Sequence, residues 1–336
     1  MKPVSSLVVL SLVGSAAGFS APNYLSSLSP NTGGMGAEES SMFNYNIVPP
    51  PPTSYEPGRG RNTNGSYNEA ELQDPPVTYG RPYQPPSTNG DVVTLHHAKL
   101  SFFHPDELQT KGVRRNADVG DPEESERTFL ELGPLTIGSW ACTSGGWLCR
   151  KQKKSTEVFF VLSGKGCVTD LDGMPHEFGP GDVVTLPKGW SGRWDVWEDL
   201  HKIYFDHEHI NIEETMLPVR AVIRPYEKIM APQYLHPVEG GPGASSRLLY
   251  SAGPTTVAAV VCAPGSSMKV CYETECFHLV EGVLFLTTPD GEIKRFVAGD
   301  TVVLPPGWSG HHDVVEKCTM IWVSVEEEEP VDDEED

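Results

Sequence analysis

Paired cysteines, basic charge and long apolar runs are all scarce in this chain. The seven cysteines, Cys142, Cys149, Cys167, Cys262, Cys271, Cys276 and Cys318, are odd in number and form no CxxC pair. That spacing offers neither a disulfide framework nor a zinc knuckle, and it favours reduced thiols. Lys and Arg number 25 against 46 Asp and Glu, a formal charge of −21. Nucleic-acid binding draws on clustered basic residues, so the balance excludes a polyanion partner. No apolar run approaches the roughly 18 residues of a membrane span, and no membrane anchor is expected. A Gly-x-Ser-x-Gly elbow and a phosphate-cradling loop are also missing, and Gly164-Lys165-Gly166 is only a turn.

The N-terminal quarter carries little that could fold. Lys2, the apolar stretch Leu7 to Val13 and the small residues Ser15-Ala16-Ala17-Gly18 have the layout of a signal peptide over 1–18. Phe19-Ser20-Ala21-Pro22 resembles the phenylalanine-led cleavage motif of plastid presequences in algae with secondary plastids. The expected location is therefore a plastid (chloroplast), reached by a signal-plus-transit presequence. Secretion is the alternative, supported by the sequon Asn64-Gly65-Ser66. From 19 to 90 the chain is rich in Pro, Gly, Ser and Asn and is read as a disordered linker, too poor in apolar surface to offset its ordering entropy. At the other end, nine of the eleven residues of 326–336 are acidic, a solvated tail.

Between these ends the sequence repeats. Sliding the chain by 118 residues aligns Glu157 to Val196 with Glu275 to Val314 without a gap, and 18 of the 40 positions are identical. Two copies of one domain follow, over 91–210 and 211–325. Short β-branched and apolar runs, such as Val158 to Leu162 and Thr301 to Leu304, alternate with Asp-Gly and Pro-x-Gly turns. This pattern predicts an all-β chain of barrels or sandwiches and sets aside the α/β classes.

Each copy resembles the two-part signature of the cupin superfamily. Glycine, five residues, proline, any residue, glycine is matched by Gly181, Pro187 and Gly189, and again by Gly299, Pro305 and Gly307. Glutamate, six residues, glycine is matched by Glu157 with Gly164 and by Glu275 with Gly282. The resemblance implies two tandem jelly-roll barrels, a bicupin. The run Gly189 to Val196, Lys202, Gly138-Ser139-Trp140 and Asp118 to Glu123 are similar to the family named after (S)-ureidoglycine aminohydrolase. An enzyme of that type would release ammonia from ureidoglycine or a related ureide at a manganese centre.

Metal-binding members of the superfamily use two histidines at H-x-H spacing before the glutamate and a third after the Pro-x-Gly turn. Here those positions hold Lys151 and Lys153, Lys269 and Cys271, and Gly192 and Gly310. Only the glutamates remain, so no cofactor is favoured. The metal alternative combines Glu275, Cys271 and His311 through a one-residue bulge. His207-Glu208-His209 reads as a polar strand end, and His278 is out of phase with Glu275. The predicted ligand pocket comprises Lys151, Lys153, Glu157, Trp140, Trp190 and Trp194 in the first copy and Lys269, Cys271 and Glu275 in the second. Two ammonium groups around one carboxylate invite a small organic anion, and an exposed basic hairpin is the competing reading of Lys151 and Lys153. The expected function is binding of a small anionic metabolite. The alternatives are the metal-dependent aminohydrolase and an interaction protein with degenerate barrels, and a homodimer is compatible with each.

Overall fold

The computed structural model describes residues 12–13, 93–209, 219–238 and 243–326. The expected linker, most of the signal-like segment and all but the first residue of the acidic tail lie outside them. The described part is built almost wholly from strands. Two short ones come first, β1 (Leu12–Val13) and β2 (His96–Ala98). They are followed by β3 (Gln109–Val113), β4 (Ala117–Val119), β5 (Glu123–Leu132), β6 (Leu135–Cys142) and β7 (Gly145–Cys149). Next come β8 (Ser155–Asp170), β9 (Pro175–Phe178), β10 (Val183–Leu186), β11 (Gly192–Glu208) and β12 (Val222–Arg224). The second repeat supplies β13 (His236–Pro237), β14 (Ala244–Ala252), β15 (Thr255–Cys262), β16 (Gly265–Val270) and β17 (Thr274–Thr287). It ends with β18 (Ile293–Val297), β19 (Thr301–Leu304) and β20 (Ser309–Val325).

These strands form two ten-stranded antiparallel sheets, each closed around its own interior. The long strands make closure possible. β8 and β11 pair along most of their length, with bulges between Val196 and Lys202, and β17 and β20 do the same in the second barrel. A bulge bends a long strand, so one strand can serve both walls of a barrel. Each turn after the Pro-x-Gly motif depends on glycine twice over. Gly189 and Gly307 sit at φ +85° and +82°. At Gly192 and Gly310 a Cβ atom would lie 2.2 Å from the Thr169 carbonyl oxygen and 2.4 Å from that of Thr287.

One strand from each side crosses over. β2, which precedes the first barrel in sequence, pairs with β19 of the second, Thr301 facing Ala98. β12, which follows the first barrel, pairs with β10 of the first, Val183 facing Arg224. Alternation along the strands then sorts residues into three apolar layers. Phe159, Val161 and Trp194 fill the first barrel, and Phe277, Leu279 and Trp322 the second. Between them Phe160, Ile203 and Phe205 pack with Val257, Ile321 and Val323. His278 belongs to this middle layer, its ring 5.2 Å from that of Phe160, so it does face away from Glu275. His207 and His209, read from sequence as a polar strand end, are instead buried, His207 Nδ1 lying 3.0 Å from Thr255 Oγ1 and His209 Nε2 2.9 Å from Thr156 Oγ1.

Candidate functional site

A cavity of about 300 Å³ opens in the first barrel. Its floor is set by strand β11, where Lys202, Tyr204 and Asp206 alternate with buried Ile203 and Phe205. A period of two puts all three polar side chains on the inner face. Register brings their partners level with them: Lys202 faces Trp140 on β6, and Asp206 faces Glu157 on β8.

Glu157 is the centre. Lys153 Nζ donates to its Oε2 at 2.8 Å and Lys202 Nζ to its Oε1 at 2.5 Å. Lys153 also lies 3.7 Å from Asp206, whose carboxylate accepts from Ser155 Oγ at 2.7 Å. The Lys202 ammonium is enclosed by aromatic faces, 4.1 Å from the ring centre of Phe159 and 4.9 Å from those of Trp140 and Trp194. Trp194 stacks in turn on Trp147 and Phe159. Burial pushes the Glu157 carboxyl up, but Lys153 and Lys202 outweigh it and hold it at about 2. Burial pulls the Lys202 ammonium below the usual lysine range against the pull of Glu157. Burial, reinforced by the neighbouring Glu157 charge, moves the Asp206 carboxyl up.

The β5 side of the lining, two strands from β11 in the same sheet, is acidic but paired. Glu126 accepts from Tyr204 Oη at 2.6 Å and is bridged by Lys111, while Glu124 is bridged by Arg114. The Arg114 guanidinium lies over Trp147 at 4.3 Å. The lining therefore counts four cations, Arg114, Lys151, Lys153 and Lys202, against four carboxylates, Glu124, Glu126, Glu157 and Asp206.

Of the sequence-predicted pocket residues, Lys151, Lys153, Glu157, Trp140, Trp190 and Trp194 all line this cavity. Lys151 does so from an exposed position, and Lys153 points in to Glu157. Trp190 also anchors the barrel wall, since its Nε1 donates to Asp170 at 2.8 Å. Lys202, Tyr204 and Asp206 are absent from the predicted set. Their signal was the alternation of polar and apolar residues over Lys202-Ile203-Tyr204-Phe205-Asp206 in the closing strand.

Lys269, Cys271 and Glu275 meet in the second barrel, apart from this cavity and buried. Lys269 Nζ lies 2.6 Å from Glu275 Oε2 and 4.5 Å from the Trp322 ring centre, an ion pair without hydrogen-bond alignment. Burial opposes the charge on Lys269, but the Glu275 carboxylate holds the ammonium above the usual range. His311, the third member of the proposed metal set, is exposed, which corrects that expectation. The inward residue is His312, because β20 alternates Gly310, His312 and Val314 toward the core. Its Nε2 has no hydrogen-bond partner, and burial together with the Lys269 charge lowers its pKa to about 4.

The residues do not fit a bound transition metal. Glu157 and Glu275 each face an ammonium group, and the close carbonyls bar any side chain at Gly192 and Gly310. Among the described residues no three His, Cys, Asp or Glu side chains are grouped to hold a metal ion.

A family model for the EutQ-like cupin domain matches this chain twice, at residues 130–204 and 251–319. Both barrels are cupin domains. The bicupin is similar to a Pseudomonas aeruginosa protein named for induction by glyoxylate, at 13% identity over 76% of this chain and 99% of that one, with a TM-score of 0.53. It is also similar to a protein of unknown function from Pseudomonas syringae pv. tomato, at 14% identity, 69% and 100% coverage and a TM-score of 0.50. The E. coli protein Ylba matches at 10% identity, 73% and 97% coverage and a TM-score of 0.50. Likenesses at such identity show the cupin fold. No curated protein matches the sequence.

Proposed function

We propose that the first cupin barrel binds a small metabolite through a carboxylate group, without help from a metal ion. One observation carries this reading: two ammonium groups, Lys153 and Lys202, share a single carboxylate, Glu157, at the floor of an open cavity. Each ammonium carries three N–H donors, of which Glu157 takes one, in a partly desolvated site where a ligand carboxylate gains most from ionic hydrogen bonds. The remaining carboxylates of the lining narrow the ligand class. A second negative charge on the ligand would approach Glu124, Glu126 and Asp206, whereas an amide or ureido N–H would find acceptors there. A monocarboxylate with an N–H end, a ureido acid for example, matches both ends. That class includes the substrates of the ureidoglycine aminohydrolase-like cupins that the sequence resembles, and the presequence resemblance supports a plastid as the location of this binding.

Hydantoate, a ureido acid, and malonate, a dicarboxylate, separate these demands in a calorimetric or thermal-shift titration. Hydantoate is expected to bind and malonate to bind at least tenfold more weakly, a difference of about 1.4 kcal/mol. Lys153→Met should weaken hydantoate by about tenfold or more, and Lys151→Met, at the exposed rim, by much less. Absence of hydantoate binding, malonate bound as tightly as hydantoate, or unchanged hydantoate affinity in Lys153→Met would overturn the reading.

A further inference from the structure

We infer that in each barrel a tethered lysine ammonium occupies the side of the glutamate that a metal ion would take, so that both cupin centres carry a built-in cation. The inference is independent of which ligand the cavity accepts.

The two repeats reach this arrangement by different routes. In the first, Lys202 comes from the closing strand β11 and meets Glu157 at 2.5 Å. In the second, Lys269 comes from β16 and meets Glu275 at 2.6 Å. The 118-residue offset that superposes the glutamates does not superpose the lysines. It carries Lys202 onto Met320, which is buried, and Lys269 onto Lys151, which is exposed. The second lysine of the first centre, Lys153, maps onto Cys271.

The aromatic support is assembled twice as well. Lys202 lies over Phe159 at 4.1 Å, whereas Lys269 lies over Trp322 at 4.5 Å. Phe277, the counterpart of Phe159, instead stacks on Trp322 at 5.4 Å and 16°. Equivalent glutamates thus meet an ammonium and an aromatic face supplied from non-equivalent positions. A lone buried carboxylate is costly, so a barrel that keeps the glutamate needs a cation there. A divalent ion approaching either carboxylate would have to displace a cation that cannot diffuse away.

The two centres differ in access. Lys202 faces the cavity with Lys153 and Tyr204, where its charge is available to a ligand. The Lys269 and Glu275 side chains are only 2% and 5% exposed, and this pair supports the barrel.

A mutant cycle on the full chain tests the inference. Lys269→Met and Glu275→Gln should each lower Tm by about 5 °C or more, because each leaves a buried polar partner uncompensated. The double variant should recover at least half of the summed loss. Simple addition of the two losses would overturn the built-in cation. If Lys269→Met does not fold alone, a soluble double variant supports the pairing and an insoluble one refutes it. Titration of the parent with Mn²⁺ or Zn²⁺ is the second arm. No rise in Tm is expected, and a rise that Glu157→Gln or Glu275→Gln cancels would show the metal, not lysine, at the glutamate.

Discussion

At the scale of the residue, the strongest constraints fall on backbone positions that the signature marks and on side chains that it omits. Gly164 and Gly173 both have positive φ, +85° and +87°. They differ in their surroundings: a Cβ on Gly164 would lie 2.2 Å from the Asp199 carbonyl oxygen, and one on Gly173 would meet nothing within 4 Å. Gly173→Ala should therefore cost only the left-handed penalty of about 1–2 kcal/mol. Gly164→Ala adds a clash with backbone and should cost more than about 3 kcal/mol. Equal losses in urea denaturation would show that conformation alone, and not close packing, fixes the glycine of the glutamate motif. The site residues were only half legible for a similar reason. Spacing located Glu157, Lys153, Trp190 and Trp194 because they lie in or beside the repeated motif, and Trp140 came with the family resemblance. Lys202 lies in a strand whose register depends on the bulges between Val196 and Lys202, and bulges leave no simple mark in sequence. A one-residue slip also separates His311, chosen from spacing, from His312, which the strand turns inward; a slip of one reverses every side chain.

At the scale of the element, the two-domain reading was available from the 118-residue repeat, but the exchange of strands was not. β2 and β12 are three residues each and lie outside the repeated block. Their placement is decided by which sheet edge needs a partner, a tertiary matter that local pattern does not encode. The edge joined by β2 gains more than backbone pairing. Ala98 and Phe103 enter the layer between the barrels, and Leu95 enters the core of the second. His97 Nε2 also lies 3.4 Å from Asp300 in the turn before β19. Removal of residues 1–98 should accordingly loosen the second barrel although the cut precedes the first. In hydrogen exchange, Thr301 to Leu304 of β19 should lose protection well before Val183 to Leu186 of β10 does. Uniform loss in both strands would mean that β2 stabilises the molecule as a whole and not the edge it joins.

At the scale of the whole molecule, buried histidines tie the stability of the bicupin to pH. His201 in the first barrel, His278 between the barrels and His312 in the second are each lowered to about 4, chiefly by burial. The unfolded chain binds protons at these sites near pH 6.5, and the folded chain does so only near pH 4. Between those values the unfolded state holds three more protons, so stability falls as the pH drops through the window. Buried carboxyls act the other way, since burial moves Asp182, Asp206 and Glu275 up. Burial raises the Glu273 carboxyl to about 7, so below that pH the folded state holds a proton that the unfolded state has released. These opposing carboxyls keep the slope below the roughly 4 kcal/mol per pH unit that three histidines alone would give. The Glu157 centre extends the loss further, because its carboxylate stays ionised in the fold to about 2 and its contribution disappears only below the usual glutamate range. Urea midpoints measured at pH 7.5, 6, 5 and 4 should therefore decline steadily toward acid, with the m-value unchanged while unfolding remains two-state. His278→Gln should flatten the decline between pH 6.5 and 4, since glutamine can keep a hydrogen bond near Thr301 and cannot take up a proton. A profile that is level across that window, or one that His278→Gln leaves as steep as before, would mean that these histidines are not held neutral by burial in the fold.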